Sequence, residues 1–352
     1  MTCKAGLIIH IGTHKTGTSA IQQHLKLNKK ELLNENINYI KFKHRKLTKK
    51  TYEYDKSFKN NLEEYLKSKI IASRLNLISF EGLSGDLSNY YSNYKILAKI
   101  LNDCTSQFNP KIVIFFRRQD QFIQSAFMQL KHQGEELSFS EFYNAAKVGN
   151  LNWLQFANYY EDLFGKDNVI CIPYSPIRFI DESIINVFGR IINSESMIDH
   201  VDDKPINVGF SKAALNIFSS VSKDLSIEEK KILRRRLQRN FNHGLFTKYD
   251  LLSEKEEKFI IDKFKESNKL LSEKYWDKNY LNFNHAVNYK KKSYSTEQVY
   301  QNLLVDTLES EYRLLSKLNS THAKLDRYER SKTIALLNYV RNKIYVFKSV
   351  IN

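Results

Sequence analysis

Leu7-Ile-Ile-His-Ile-Gly-Thr-His-Lys-Thr-Gly-Thr-Ser19 joins a short apolar run to a glycine-bounded loop and then to a stretch with helical spacing. Leu7 to Ile11 reads as a buried strand. An amphipathic helix is predicted from Thr18 to about Leu33, with Ile21, Leu25 and Leu32 on one side. Strand, tight loop and helix in that order make an anion cradle, because the loop's N–H groups curl inward and the helix offers its positive end. Gly12 and Gly17 have the spacing of a nucleotide-binding P-loop, but the lysine is displaced. A nucleoside-triphosphate loop places Lys directly after the second Gly, whereas here Thr18 and Ser19 follow Gly17 and Lys15 lies inside the loop.

Working outward, Leu75 to Phe80 reads as a second buried strand ending at Glu81. A helix carrying Tyr94, Leu97, Ile100 and Leu101 comes next, and then a strand from Lys111 to Phe116 that ends at Arg117. A further helix runs to about Lys131, a helix from Trp153 to Phe164 precedes a strand from Asn168 to Pro173, and Tyr174 closes that strand. Short, continuously apolar strands alternating with helices predict an α/β fold with a central parallel sheet covered on both faces. Ligands in such sheets sit beyond the carboxyl ends of the strands, so Gly12 to Ser19, Glu81 and Arg117 are expected to converge. Lys41 to Lys69 carries only a short helical signal near its end, and Lys131 to Asn150 carries no readable motif. After Tyr174 the pattern is largely helical, clearest from Glu254 to Tyr275.

The second charged constellation is Arg117-Arg-Gln-Asp-Gln-Phe-Ile-Gln-Ser125, in which a strand end supplies a bidentate cation and the following helix turns a hydroxyl back toward it. This suits a phosphate monoester; an aromatic, Phe127, follows. The two motifs together resemble those of bacterial sulfotransferases that use 3′-phosphoadenosine-5′-phosphosulfate (PAPS), whose opening is of the Ile-Gly-Thr-His-Lys-Thr-Gly-Thr type. The resemblance implies a three-layer α/β/α fold of P-loop-like topology, PAPS as donor, 3′-phosphoadenosine-5′-phosphate (PAP) as product, and no metal. It places Gly12, Thr13, Lys15, Thr16, Gly17, Thr18 and Ser19 around the 5′-phosphosulfate, with N–H groups of Thr16 to Ser19 and hydroxyls of Thr18 and Ser19 as donors. Arg117 and Ser125 are placed on the 3′-phosphate.

Lys15 would stabilise the charge that grows on the leaving phosphate oxygen. Glu81, within a Ser-x-Glu formed by Ser79 and Glu81, is the candidate general base for the acceptor hydroxyl, and His14 is the rival base. His10, between Ile9 and Ile11, is expected to pack in the core. The resemblance extends loosely through residues 6–276, taking in Asn207-Val-Gly-Phe-Ser211, Lys204, and Phe264 to Asn268 with Tyr275. Asn36 departs from it, standing where relatives have a glycine before their second strand.

Lys+Arg 55 against Asp+Glu 39 gives a formal charge of +16, which favours acidic polymers, glycans or anionic membranes. The three scattered cysteines, Cys3, Cys104 and Cys171, argue against a disulfide framework or a zinc site and suit a reducing cytoplasm. The short stretch before Leu7 leaves no room for a signal peptide, and no apolar run approaches a membrane span. The expectation is a cytoplasmic, bacterial carbohydrate sulfotransferase of polysaccharide biosynthesis, acting on a cell-envelope, capsular or secreted glycan or a glycolipid. Two rivals stay open: a P-loop-like nucleotide kinase, and a non-catalytic binder of acidic polymers or nucleic acid. No recognised nucleic-acid module is present, so no nucleic-acid partner is expected.

The expected division is a sulfotransferase domain over residues 1–290 and a C-terminal helical extension over 291–352. In the extension Leu304, Leu308, Leu315, Leu318 and Leu325 keep near-heptad spacing, and Leu337, Val340, Ile344, Phe347 and Ile351 repeat it among basic residues. That pattern fits a homodimer seam, or peripheral contact of Lys332 to Lys348 with the inner membrane face.

Overall fold

A computed structural model describes residues 6–42, 52–133, 135, 137–174, 183–198, 212–222, 225–240, 251–276, 295, 297–301, 303–305, 307 and 339–343. Most of the heptad leucines, together with Lys204 and Asn207 to Ser211, lie outside these residues.

The chain is α/β. Strands β1 (Leu7–His10), β2 (Ile37–Ile40), β3 (Leu75–Ser79), β4 (Lys111–Arg117) and β5 (Val169–Tyr174) form one all-parallel sheet in the order β2-β3-β1-β4-β5. Every residue of β1 and β2 is buried, as expected for strands covered on both faces. One face carries α1 (Thr18–Leu27), α2 (Lys29–Asn34) and α8 (Ile184–Ile191). There Ile21, Leu25, Leu32, Ile185 and Phe188 pack with Ile8, Tyr39, Leu77, Val113 and Phe115 from alternate strand positions. The opposite face carries α3 (Lys56–Lys69), α4 (Tyr94–Thr105), α7 (Trp153–Phe164) and α11 (Glu254–Tyr275). Phe116 of β4 stacks on Trp153 (ring centroids 5.4 Å apart), and Tyr94 stacks on Phe156 (4.7 Å).

Two helices complete this part of the chain order, α5 (Gln119–Gln133) and α6 (Phe139–Val148); α9 (Lys212–Val221) and α10 (Ile227–Asn240) follow α8. The chain divides into two compact units. One comprises residues 1–127, 137–206 and 252–288 and contains the sheet; the other comprises 128–136, 207–251 and 289–352, where α9 packs on α10.

The expected elements recur with local differences. The single helix read from Thr18 to Leu33 is two helices, broken at Asn28, which ends α1 with its N–H on His24 O (2.9 Å) and starts α2. Asn is a poor interior helix former because its amide competes for backbone groups. The short helix expected near Lys69 has fourteen residues, capped by Asp55 accepting from Phe58 N (3.1 Å). Asn36 adopts φ 67°, the left-handed conformation a glycine would supply, and Asn is among the few residues that tolerate it.

Strand order reverses at β1: the chain lays β2 and β3 to one side and β4 and β5 to the other. The carboxyl ends of β1 and β4 at this reversal flank the crevice position where parallel sheets bind ligands. Gly12 to Gly17 follows β1 there, and Arg117 ends β4.

Candidate active site

The loop after β1 is anchored to β4 before it turns. Ile11 N donates to Val113 O (3.1 Å) and Thr13 N to Phe115 O (3.2 Å). Thr13 Oγ1 also donates to Phe115 O (2.8 Å), and Thr16 Oγ1 donates to Thr13 O (2.5 Å). Both hydroxyls thus brace the loop from within, so their side chains are structural even though they lie in the predicted cradle.

Three loop residues have positive φ: Gly12 (43°), Lys15 (67°) and Gly17 (78°). Gly12 is needed for space as well as conformation. A Cβ there would lie 2.7 Å from Thr18 Oγ1 and 3.0 Å from His10 Nε2. Lys15, a residue that pays for the left-handed region, is held there by Arg117, whose Nη1 donates to Lys15 O (3.2 Å).

None of the N–H groups of Thr16 to Ser19 donates to a described residue, and the helical ladder begins with Ala20 N on Gly17 O (2.9 Å). Thr18 Oγ1 is buried with no hydrogen-bond partner among the described residues, whereas Ser19 is exposed. Arg117 Nε and Ser125 Oγ are likewise buried and unpartnered; Ser125 is 1% exposed. An unmet buried donor costs about 1–3 kcal/mol. These atoms are therefore groups for which a bound, oxygen-rich anion would provide partners.

The Arg117 guanidinium lies over the Tyr174 ring, 5.6 Å from its centroid, and the Trp153 indole N–H donates to Arg117 O (2.8 Å). Strand end and cation are thus fixed by aromatic neighbours. Arg118, next in sequence, points away into a buried bidentate pair with Asp120 (2.6 and 2.8 Å). Asn268, on α11, forms a reciprocal amide pair with Gln119 (3.0 and 2.8 Å), a structural role.

Glu81 opens a short 3-10 turn after β3 and is half-buried. Its Oε2 accepts from Gln22 Nε2 (2.9 Å), and the same amide donates to Ser79 O (3.1 Å). Gln22 was not singled out from the sequence. Its signal was available: it lies four residues beyond Thr18, on the face of α1 above the loop.

His14 is half-buried in the same corner. Desolvation pushes its imidazole down to about 4, outweighing the nearby carboxylates of Glu81 and Asp86, which raise it, while Lys15 lowers it further. Both its backbone N–H (2.9 Å) and its Nδ1 (3.1 Å) meet the hydroxyl of Tyr91. His10 is fully buried as expected, with Nδ1 on Ser79 Oγ (2.8 Å) and its ring against Phe115 and Phe188. Burial alone pushes it down to about 3.

The structure thus gathers the Gly12 to Ser19 loop, Glu81, His14 and Arg117 at one sheet edge. Ser125 sits two helical turns further on, along α5.

No family model and no curated protein matches this chain. Among solved structures it is similar to a sulfotransferase from Alicyclobacillus acidocaldarius, with a TM-score of 0.38 and 16% identity, covering 64% of this chain and 95% of that one. No helix among the described residues is long and apolar enough to cross a membrane.

Proposed function

We propose that this chain is a sulfotransferase that uses PAPS to sulfate a hydroxyl of a glycan, with its catalytic residues in the 1–290 segment. The observation that carries the reading is the set of buried, unpartnered donors at Thr18 Oγ1, Arg117 Nε and Ser125 Oγ on elements that leave the switch point of the sheet. The free N–H groups of Thr16 to Ser19 would hold the 5′ end of the donor, and Arg117 with Ser125 its 3′-phosphate. Recognition of a 3′-phosphate separates this donor from ordinary adenine nucleotides.

When bound, the donor supplies a sulfuryl group whose bond to the 5′-phosphate oxygen breaks, with the electron pair leaving on that oxygen, as the acceptor oxygen bonds to sulfur. Glu81 takes the acceptor's proton. The Lys15 ammonium neutralises the charge left on the phosphate oxygen, and such stabilisation costs no reorganisation because the loop already fixes its backbone. Gln22 keeps the Glu81 carboxylate facing the loop. Lys15 and Arg117 supply the positive charge of the crevice, and a net +16 surface suits an acidic cell-envelope polysaccharide or glycolipid reached from the cytoplasmic side.

Calorimetric titration with PAP, AMP and ATP with Mg²⁺, on the natural chain and on Arg117→Ala, tests this reading. Expected is binding that needs both the 3′-phosphate and Arg117. Preference for ATP with Mg²⁺, or no nucleotide binding, sinks it in favour of a kinase or a polymer binder.

A further inference from the structure

Three hydrogen bonds in series join the loop after β1 to the turn after β3, and each fixes the next. Ser84 Oγ lies 2.7 Å from Glu81 O, and a carbonyl oxygen only accepts, so the serine proton points there. Ser84 also bonds the Tyr91 hydroxyl. With its own proton given to Glu81 O, Ser84 Oγ can only accept in that bond, and the phenolic proton points to Ser84. The Tyr91 oxygen is left to accept from His14. It meets the backbone N–H of that residue (2.9 Å), a donor by nature, and Nδ1 (3.1 Å), which must carry a proton to bond it.

Burial keeps the phenol protonated and the imidazole neutral, and a neutral imidazole holds one ring proton. With that proton on Nδ1, Nε2 carries a lone pair. His14 is half-buried, and its hydrogen bonds to described residues are made by N and Nδ1, leaving Nε2 without one among them. The strut that sets this arrangement is rigid. Tyr91 is fully buried, with its ring against Phe122, Trp153 and Phe156. Its backbone is in the left-handed region (φ 58°), as is that of Tyr90 (φ 48°), a conformation that persists only when the surroundings enforce it. Here Tyr91 N donates to Asp86 O (2.9 Å), and Asp86 N donates to Asn93 Oδ1 (2.8 Å).

A lone pair has no use for the phosphosulfate end of PAPS, whose oxygens are themselves acceptors; it needs a proton from a donor. The reacting hydroxyl has one proton, and in the proposed reaction Glu81 takes it. We infer that His14, held by Tyr91 as the Nδ1–H tautomer, offers Nε2 to a second hydroxyl of the acceptor, so that the site selects a polyol over a lone alcohol. This rests on the sulfotransferase reading and narrows its acceptor class: two hydrogen-bond acceptors, Glu81 and His14, tied through Ser84 and Tyr91, meet a substrate that carries at least two hydroxyls.

The full chain labelled with ¹⁵N in histidine, with His14→Asn to assign the signals, tests the tautomer. His14 is expected to show a pyrrole-type Nδ1 and a pyridine-type Nε2 at neutral pH, and the reverse pattern would overturn the inference. Ser84→Ala removes the acceptor of the phenolic proton, which then turns to Nδ1, so the pattern is expected to invert; an unmoved pattern would overturn the proton assignment. The second test follows transfer from ³⁵S-labelled PAPS to equal concentrations of glycerol or 1-propanol. Per hydroxyl, transfer to glycerol is expected to exceed that to 1-propanol by about tenfold, the worth of one hydrogen bond. His14→Asn keeps an amide donor for Tyr91 but has nothing at Nε2, and the preference is expected to vanish there. The readout is a ratio within one preparation, so loss of folded protein cannot produce it. No preference in the natural chain, or the same preference in His14→Asn, would overturn the inference and leave the sulfotransferase reading intact wherever PAP still binds. If the natural chain binds neither PAP nor pyrophosphate, the reading of the loop falls and this inference with it.

Discussion

Arg117 Nη1 donates to the backbone carbonyl of Lys15 (3.2 Å), tying together two residues 102 apart that the proposed reaction places at opposite ends of the donor. Arg117 therefore acts twice, as a cation and as the clamp on a loop residue in the left-handed region. Lysine at 117 would keep the charge but lose both the planar fork and the stacking over Tyr174. Arg117→Lys is expected to weaken PAP binding by about tenfold or more while leaving the thermal midpoint nearly unchanged. Binding within a factor of two of the natural chain would show that charge alone suffices.

Gly12→Ala combines two penalties. Alanine must adopt φ 43° and its Cβ must push aside Thr18 Oγ1 at 2.7 Å. At Gly165, φ is 88° but the nearest atom to a Cβ is 3.7 Å away, so only the conformational penalty applies. Gly165→Ala is expected to cost about 1–3 kcal/mol, since φ 88° with ψ 148° borders a region reserved for glycine, and PAP binding is expected to be abolished only in Gly12→Ala. PAP binding retained in Gly12→Ala would contradict the steric argument.

What the sequence disclosed follows from how local each signal is. Buried strands announce themselves because burial on both faces leaves apolar runs such as Leu7 to Ile9 and Ile112 to Phe116, and the loop between Gly12 and Gly17 is dictated by its own residues. The α6 helix was legible but not read: Ser138 and Glu141 form a capping box ahead of Phe142, Tyr143 and Ala146, all buried. The placing of the Tyr91 hydroxyl against His14 was not legible. It depends on a left-handed turn set by Gly85, Asp86 and Asn93 and on a partner 77 residues away, and neither leaves a pattern in the neighbouring residues.

Gln22 bridges Ser79 O and Glu81 Oε2 with one amide nitrogen, so it orients the proposed base without reaching into the crevice. Gln22→Leu preserves helix propensity and volume but frees the Glu81 carboxylate to rotate. The expected result is a fall in kcat of about tenfold or more with PAP affinity changed less than about twofold. Gln22→Glu, which places a second carboxylate against Glu81, should additionally move the acidic limb of the pH–rate profile upward, because like charges favour the protonated form. A loss confined to KM would argue that Gln22 serves binding instead of the base.

The two desolvated histidines make the fold acid-labile in a defined window. His10 has an ordinary value of 6.5 that burial lowers to about 3 in the folded chain, and His14 falls to about 4. Below pH 6.5 the unfolded chain takes up a proton that the folded chain refuses, so stability falls with decreasing pH until the folded group itself titrates. Each such histidine steepens the decline by roughly 1.4 kcal/mol per pH unit. His10→Phe removes the titrating group and places an apolar ring between Phe115 and Phe188. Urea midpoints measured from pH 7 to pH 4 should therefore fall less steeply in His10→Phe than in the natural chain, even if the variant is weaker at pH 7 through its unpaired Ser79 hydroxyl. Parallel profiles would mean that His10 is not held neutral by burial.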